Sequence, residues 1–127
     1  MSTAATAAMD ALVAAIKTVP KLYGYRADQL GKVQLPAGIV GLPALDWTTF
    51  CTDPNEGRFP VTLVAQLGAG VAEFLTSTIG PFAEALETTG GVVDPAAGAT
   101  PLEVDFGGGL IGAGYQVIVQ YPLNSEE

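Results

Sequence analysis

The segment Gly107-Gly108-Gly109-Leu110-Ile111-Gly112 has the G-x-G-x-x-G spacing of dinucleotide-binding loops. That chemistry needs a strand before the glycines and a helix after them, so that a helix N-terminus receives the pyrophosphate. Here the residues after Gly112 alternate like a strand, and no βαβ unit surrounds the motif. The glycines therefore read as a hairpin turn, with a small-molecule-binding domain as the remote alternative. Cys51 is the only cysteine. A nucleophilic thiolate needs a histidine or a nearby cation to lower its pKa, and the chain has no histidine. Cys51 reads instead as a small strand side chain. Asp46, Asp53 and Glu56 surround the turn Asp53-Pro54-Asn55-Glu56-Gly57; they are calcium-ligand types without EF-hand spacing, and read as a solvated turn. Glu103 and Asp105 share one face of a strand. Acid–base work would need burial to separate their pKa values, whereas alternation with Leu102 and Val104 points to an exposed face. In a ring-shaped assembly these two acids would be candidates to line the lumen. No catalytic, metal-ligating or cofactor-binding residue emerges, and no cofactor is expected.

The charge balance narrows the partners. Lys plus Arg number 5 and Asp plus Glu 13, a net charge of −8. Five cations cannot build the patch from which nucleic-acid affinity comes, and the net negative charge disfavours anionic membrane surfaces. At 127 residues and 49% hydrophobic the chain reads as a single domain, 1–127, able to support its own core. The start lacks the basic segment of a signal peptide, and no stretch reads as a membrane span. A mean hydropathy of +0.38 predicts a large core or apolar surface buried against partners.

These residues need elements to position them. Residues 3–19 predict a helix, with Met9, Leu12, Val13 and Ile16 on one stripe and Pro20 as its stop. Residues 20–35 are irregular, with a short edge strand at Tyr23 and Tyr25. Residues 37–52 and 58–67 predict the two sides of a long hairpin, with Pro43 at an edge or bulge. Its tip, 46–59, is expected to extend beyond the body as an arm. Residues 69–89 predict two short helices broken at Gly80-Pro81. Residues 88–100 read as a loop, and 101–106 with 113–121 as a second hairpin, followed by a frayed tail from Pro122. The expected fold is α+β, ordered α-β-β-α-α-β-β: a two-layer domain with an antiparallel sheet of two hairpins and helices on one face. Trp47 and Phe50, with Tyr23 and Tyr25, stand outside the core pattern. They read either as core packing or as interface anchors, and a protruding arm favours the second.

The order of elements and several phrases resemble a known family: "KLYGYRADQL", "QLPAGIVGLP", "RFPVTLVAQLG", "TIGPFAEALE" and "PLEVDFGGGLIGAGYQVIVQYPL". Together they make the chain similar, over nearly its whole length, to the tail terminator proteins of long-tailed (siphovirus-type) phages of actinobacterial hosts. The resemblance implies a non-enzymatic virion structural protein that forms a homohexameric ring. Such a ring caps the tail tube, stops its polymerisation and joins the tail to the head at the neck. Its implied partners are copies of itself, the major tail tube protein and a head completion (stopper) protein. DNA passes through the lumen without specific binding, and no membrane is involved. The implied location is the head–tail junction of the virion, assembled in the host cytoplasm. Neighbour contacts are expected at Trp47, Phe50, Arg58 and Phe59. Six copies at −8 each carry −48, a charge that repels a passing genome. The nearest alternatives are a head–tail stopper or neck ring protein and a tail tube subunit.

Overall fold

A computed structural model describes residues 4–29, 33–46, 56–107 and 110–123. Helix α1 (Ala4–Ile16) buries Met9, Leu12 and Ile16 of the expected stripe together with Ala8 and Ala15, while Val13 is only half-buried. Its end is tightened by the Thr18 hydroxyl, which donates to the Ala15 carbonyl at 2.6 Å. The chain then forms β1 (Tyr23–Arg26), a short 3₁₀ turn at Ala27–Gln29, β2 (Ala37–Val40), β3 (Ala44–Asp46) and β4 (Glu56–Gln66). Helix α2 (Val71–Glu87) follows, then β5 (Val92–Val93), β6 (Thr100–Gly107) and β7 (Leu110–Pro122).

All seven strands join one sheet in the order β1-β2-β4-β7, with β3 continuing the line of β2 beside β4. Strands β5 and β6 both pair with the far side of β7. The fold is α+β, as expected, but the sheet is mixed, not antiparallel. β1 runs parallel to β2, with Tyr23 opposite Ala37 and Arg26 opposite Val40, so β2 begins at the end of the sheet where β1 began.

Both helices cover one face. Opposed residues across a ladder share a face, so Gly38, Val40, Phe59, Val61, Leu63, Val117 and Val119 point together toward the helices. A Cβ on Gly38 would sit 2.8 Å from both Ile16 of α1 and Phe82 of α2. Glycine is required there because both helices press on that strand position. Phe59 and Tyr121 meet edge to face, with ring centroids 6.1 Å apart, and the Tyr121 hydroxyl donates to the Thr89 carbonyl at 3.0 Å. The result is one dry core between helices and sheet.

Four local expectations change. Residues 71–87 form a single helix, not two. Pro81 leaves the Ser77 carbonyl without its helical donor, a cost of about 3 kcal/mol in a helix interior. Leu75, Phe82 and Leu86 nevertheless stay on one stripe across the proline, and burying each is worth roughly 1.5–3 kcal/mol. Tertiary burial thus overrides the local break. Second, residues 56–59 are not part of a protruding arm. They pair with β3 on one side and with 119–122 of β7 on the other, inside the sheet. The break at Gly41-Leu42-Pro43 holds one extra residue, since the four steps from Val40 to Ala44 oppose three from Val61 to Arg58. Third, Val92 and Val93 form a short strand within the expected loop. Fourth, the chain is not frayed at Pro122 and Leu123: Pro122 pairs with Glu56, and Leu123 is buried in the core.

Candidate subunit interface

The expected interface residues separate. Trp47 and Phe50 lie outside the described residues, as do Cys51 and Asp53. Arg58 is exposed on the helix-free face, with Nη2 3.6 Å from Asp46 Oδ2. Phe59 is fully buried inside the protomer. Its expected contact with a neighbour is therefore corrected: alternation along β4 turns it under the helices, and no ring surface remains for another chain. Asp46 and Glu56 face each other across the β3–β4 ladder. No group of three or more acidic, cysteine or histidine side chains is placed to hold a metal ion among the described residues.

Glu103 and Asp105 are exposed on β6, as their alternation implied. Their face was not legible in the sequence. Glu103 opposes Ala113 and Asp105 opposes Ile111, which puts both acids on the helix-bearing side of the sheet. Leu102 and Val104 therefore point to the helix-free side. Glu103 sits at the margin of the cover that α2 gives the sheet. A hollow of about 400 Å³ opens there between α2 and β6–β7, lined by Val71, Leu75, Glu103, Ala113 and Tyr115. The glycine-rich segment joins β6 directly to β7, with Gly107 opposite Leu110. A strand follows the glycines where a nucleotide loop needs a helix.

The opposite end of the sheet carries the cations. Lys17, Lys21 and Arg26 fall within residues 17–26: Lys17 and Arg26 lie at β1, and Lys21 just before it, beside Pro36 and the start of α2. The Lys17 side chain lies over Gly24, 3.2 Å from where a Cβ would stand. Arg26 points to the helix side. Its Nη1 donates to Asp10 of α1 at 2.9 Å, and its Nη2 and Nε donate to the two oxygens of Asp28 at 2.8 and 3.0 Å. The hydrogen bonds from Arg26 hold the Asp28 carboxyl below its ordinary value. Asp28, then Asp10, hold the guanidinium still more firmly protonated. On the helix-free side β1 presents Tyr23, 46% exposed, and Tyr25, whose hydroxyl accepts from the Gln34 amide at 3.0 Å. Sequence reasoning missed this basic end, although the crowding of three of the five cations into ten residues was a visible signal.

The sheet is thus open and its two ends differ. Among the described residues β1 pairs with one strand, β2, and β6 with one strand, β7. The chain matches no protein-family model and no curated protein. Among the described residues, no helix is long and apolar enough to cross a membrane.

Proposed function

We propose that this chain is a virion structural protein, a tail terminator that assembles into a six-membered ring, caps the tail tube and joins it to the neck. The observation that carries the reading is the open sheet with two unlike ends. A ring of identical subunits needs a heterologous contact, one patch meeting a different patch on the next copy, repeated until it closes. Two chemically different sheet ends on one protomer supply such a pair. The net charge of −8 per copy suits a lumen through which nucleic acid passes without adhering. The high mean hydropathy suits a protein that buries further surface in an assembly. The partners in this reading are copies of the chain, the tail tube protein and a head completion protein. The place of action is the head–tail junction.

Light scattering on purified protein over a range of concentrations, with negative-stain images, tests it. The expected species has six times 13.0 kDa, or 78 kDa, and images as a closed ring. Added to purified tail tubes, it is expected at one end of each tube and to halt further growth. Open tubes formed by the protein alone would indicate a tube subunit instead. A monomer that also leaves tube ends bare would end the terminator reading.

A further inference from the structure

We propose that the ring contact is a continuation of the sheet: the β6 edge of one copy adds antiparallel to the β1 edge of the next. The proposal rests on the ring reading above and adds which edges meet, in which direction, and through which side chains.

The direction follows from the topology. β1 and β2 run one way, β4 the other, β7 with β2, and β6 against β7. When the next copy is placed with its helices on the same side, its β1 runs opposite to the β6 it meets. In that arrangement both faces match. On the helix side, Glu103 and Asp105 of β6 approach Arg26 and the Lys17 that lies over Gly24. With Arg26 opposite Glu103, Gly24 falls opposite Asp105, and Lys17 reaches across it. On the helix-free side the same register sets Val104 opposite Tyr25, an aromatic–β-branched pair of the kind that stabilises ladders. The next copy's α1 lies over its own β1, so it arrives above β6, beside the start of α2. The hollow lined by Val71, Leu75 and Tyr115 is there, at the margin of the cover that α2 gives this copy's sheet.

The edge itself supports the pairing. β6 has eight residues, Thr100–Gly107, and carries no lysine. Its charges both point to one face, and its other face shows Leu102 and Val104. Soluble proteins guard edges with charges, prolines, bulges or covering loops, because a free edge recruits strands; β6 has Pro101 near its start, which leaves residues 102–105 between the proline and the bulge to pair. Its bulge lies only at the far end, between Asp105 and Gly107. An acidic edge of that kind, matched on the same molecule by an end where Lys17, Lys21 and Arg26 outnumber Asp10 and Asp28, selects a second copy in head-to-tail order and disfavours pairing of like edges.

Disulfide trapping tests the contact. Within one protomer β1 and β6 are four strand spacings apart, about 19 Å, too far for a disulfide. Tyr25→Cys with Val104→Cys, on a Cys51→Ser background, is expected to give a ladder of linked copies on oxidation. Each single variant gives at most linked pairs. Tyr25→Cys with Val92→Cys, which uses the exposed β5 instead, is expected to give no ladder. A Val92 ladder as strong as the Val104 ladder would overturn the assignment. So would the absence of a Val104 ladder from a protein that keeps its six-copy mass, and that result would leave the ring reading standing. A parent that stays monomeric overturns the edge pairing, and the ring reading then depends on the tube-capping test alone. Should the double variant fail to fold, carbodiimide coupling of the unmodified protein replaces it. Peptide mass spectrometry is then expected to find Lys17 joined to Glu103 or Asp105. A coupled ring-sized species in which Lys17 is joined to neither would overturn the pairing.

Discussion

The middle of the sheet and its two ends obey different rules. In the middle, β4 and β7 stay in register over eleven residue pairs, from Glu56–Pro122 to Gln66–Gly112, and their helix-side residues are buried except for the half-buried Ala113, Tyr115 and Tyr121. At the ends, among the described residues, β1 and β6 each have one partner strand, and Tyr23, Tyr25, Arg26, Glu103 and Asp105 are exposed or half-exposed. The middle carries the stability of the protomer. The ends carry charge and exposed edge. The difference teaches that alternation, which both regions share, does not tell a position packed inside the protomer from one left exposed. What tells them apart is whether the face that alternation selects lies under a helix of the same chain.

The largest expected effect falls in the middle. Phe59→Ala removes a fully buried ring that packs against Tyr121 and is expected to cost about 3–5 kcal/mol, read by chemical denaturation. A loss under 1 kcal/mol would mean that the ring is not buried as described and would reopen its assignment to the subunit interface. Gly38→Ala comes next. The added methyl would meet Ile16 and Phe82, and small-to-large changes in packed cores cost about 1–3 kcal/mol. An unchanged denaturation midpoint would show that the two helices do not press on β2 together.

A smaller effect is expected at the β1 end, and it depends on pH. Asp28 is held below its ordinary value of 3.8, first by the hydrogen bonds from Arg26. A carboxylate depressed in the folded state adds stability that is complete above its unfolded value and is lost as pH falls through its folded one. Asp28→Asn should therefore lower the melting temperature slightly at neutral pH and flatten its decline below about pH 4. Parallel curves for the variant and the parent across that range would remove Asp28 from the account of the β1 end.

Much of the middle was legible in the sequence. The α1 stripe, the β4 alternation from Phe59 to Ala65, the second hairpin and the extra residue near Pro43 all follow from period, turn chemistry and proline geometry. What was not legible required knowledge of neighbours in space. Gly80-Pro81 is a local break signal that the stripe Leu75-Phe82-Leu86 overrides through burial against the sheet. The parallel pairing of β1 with β2 depends on the end of the sheet at which β2 begins, and no local pattern encodes that. At the candidate site, alternation correctly exposed Glu103 and Asp105 but could not say which face they shared. It assigned Phe59 to a neighbour because the hairpin looked free-standing, when β7 in fact flanks it. The basic end escaped notice because Lys17 and Lys21 fall between α1 and β1, where no periodicity assigns a face, and Arg26 takes its side only from the register of β1 with β2.

The smallest expected effect on the protomer separates the two regions most sharply. Glu103 is exposed, and exposed substitutions away from special features usually change stability by no more than about 0.5 kcal/mol. Glu103→Lys should therefore leave the denaturation midpoint in place. In the assembly the same change sets a lysine against Arg26 and Lys17 of the next copy, where opposed like charges disfavour the ladder. The variant should show a lower average mass by light scattering at every concentration, most clearly at low salt, where screening is weakest. Normal stability with lost assembly is the pattern of a docking residue, while loss of both together would place Glu103 with the core. A variant that is stable and still assembles fully would remove the acidic edge from the contact.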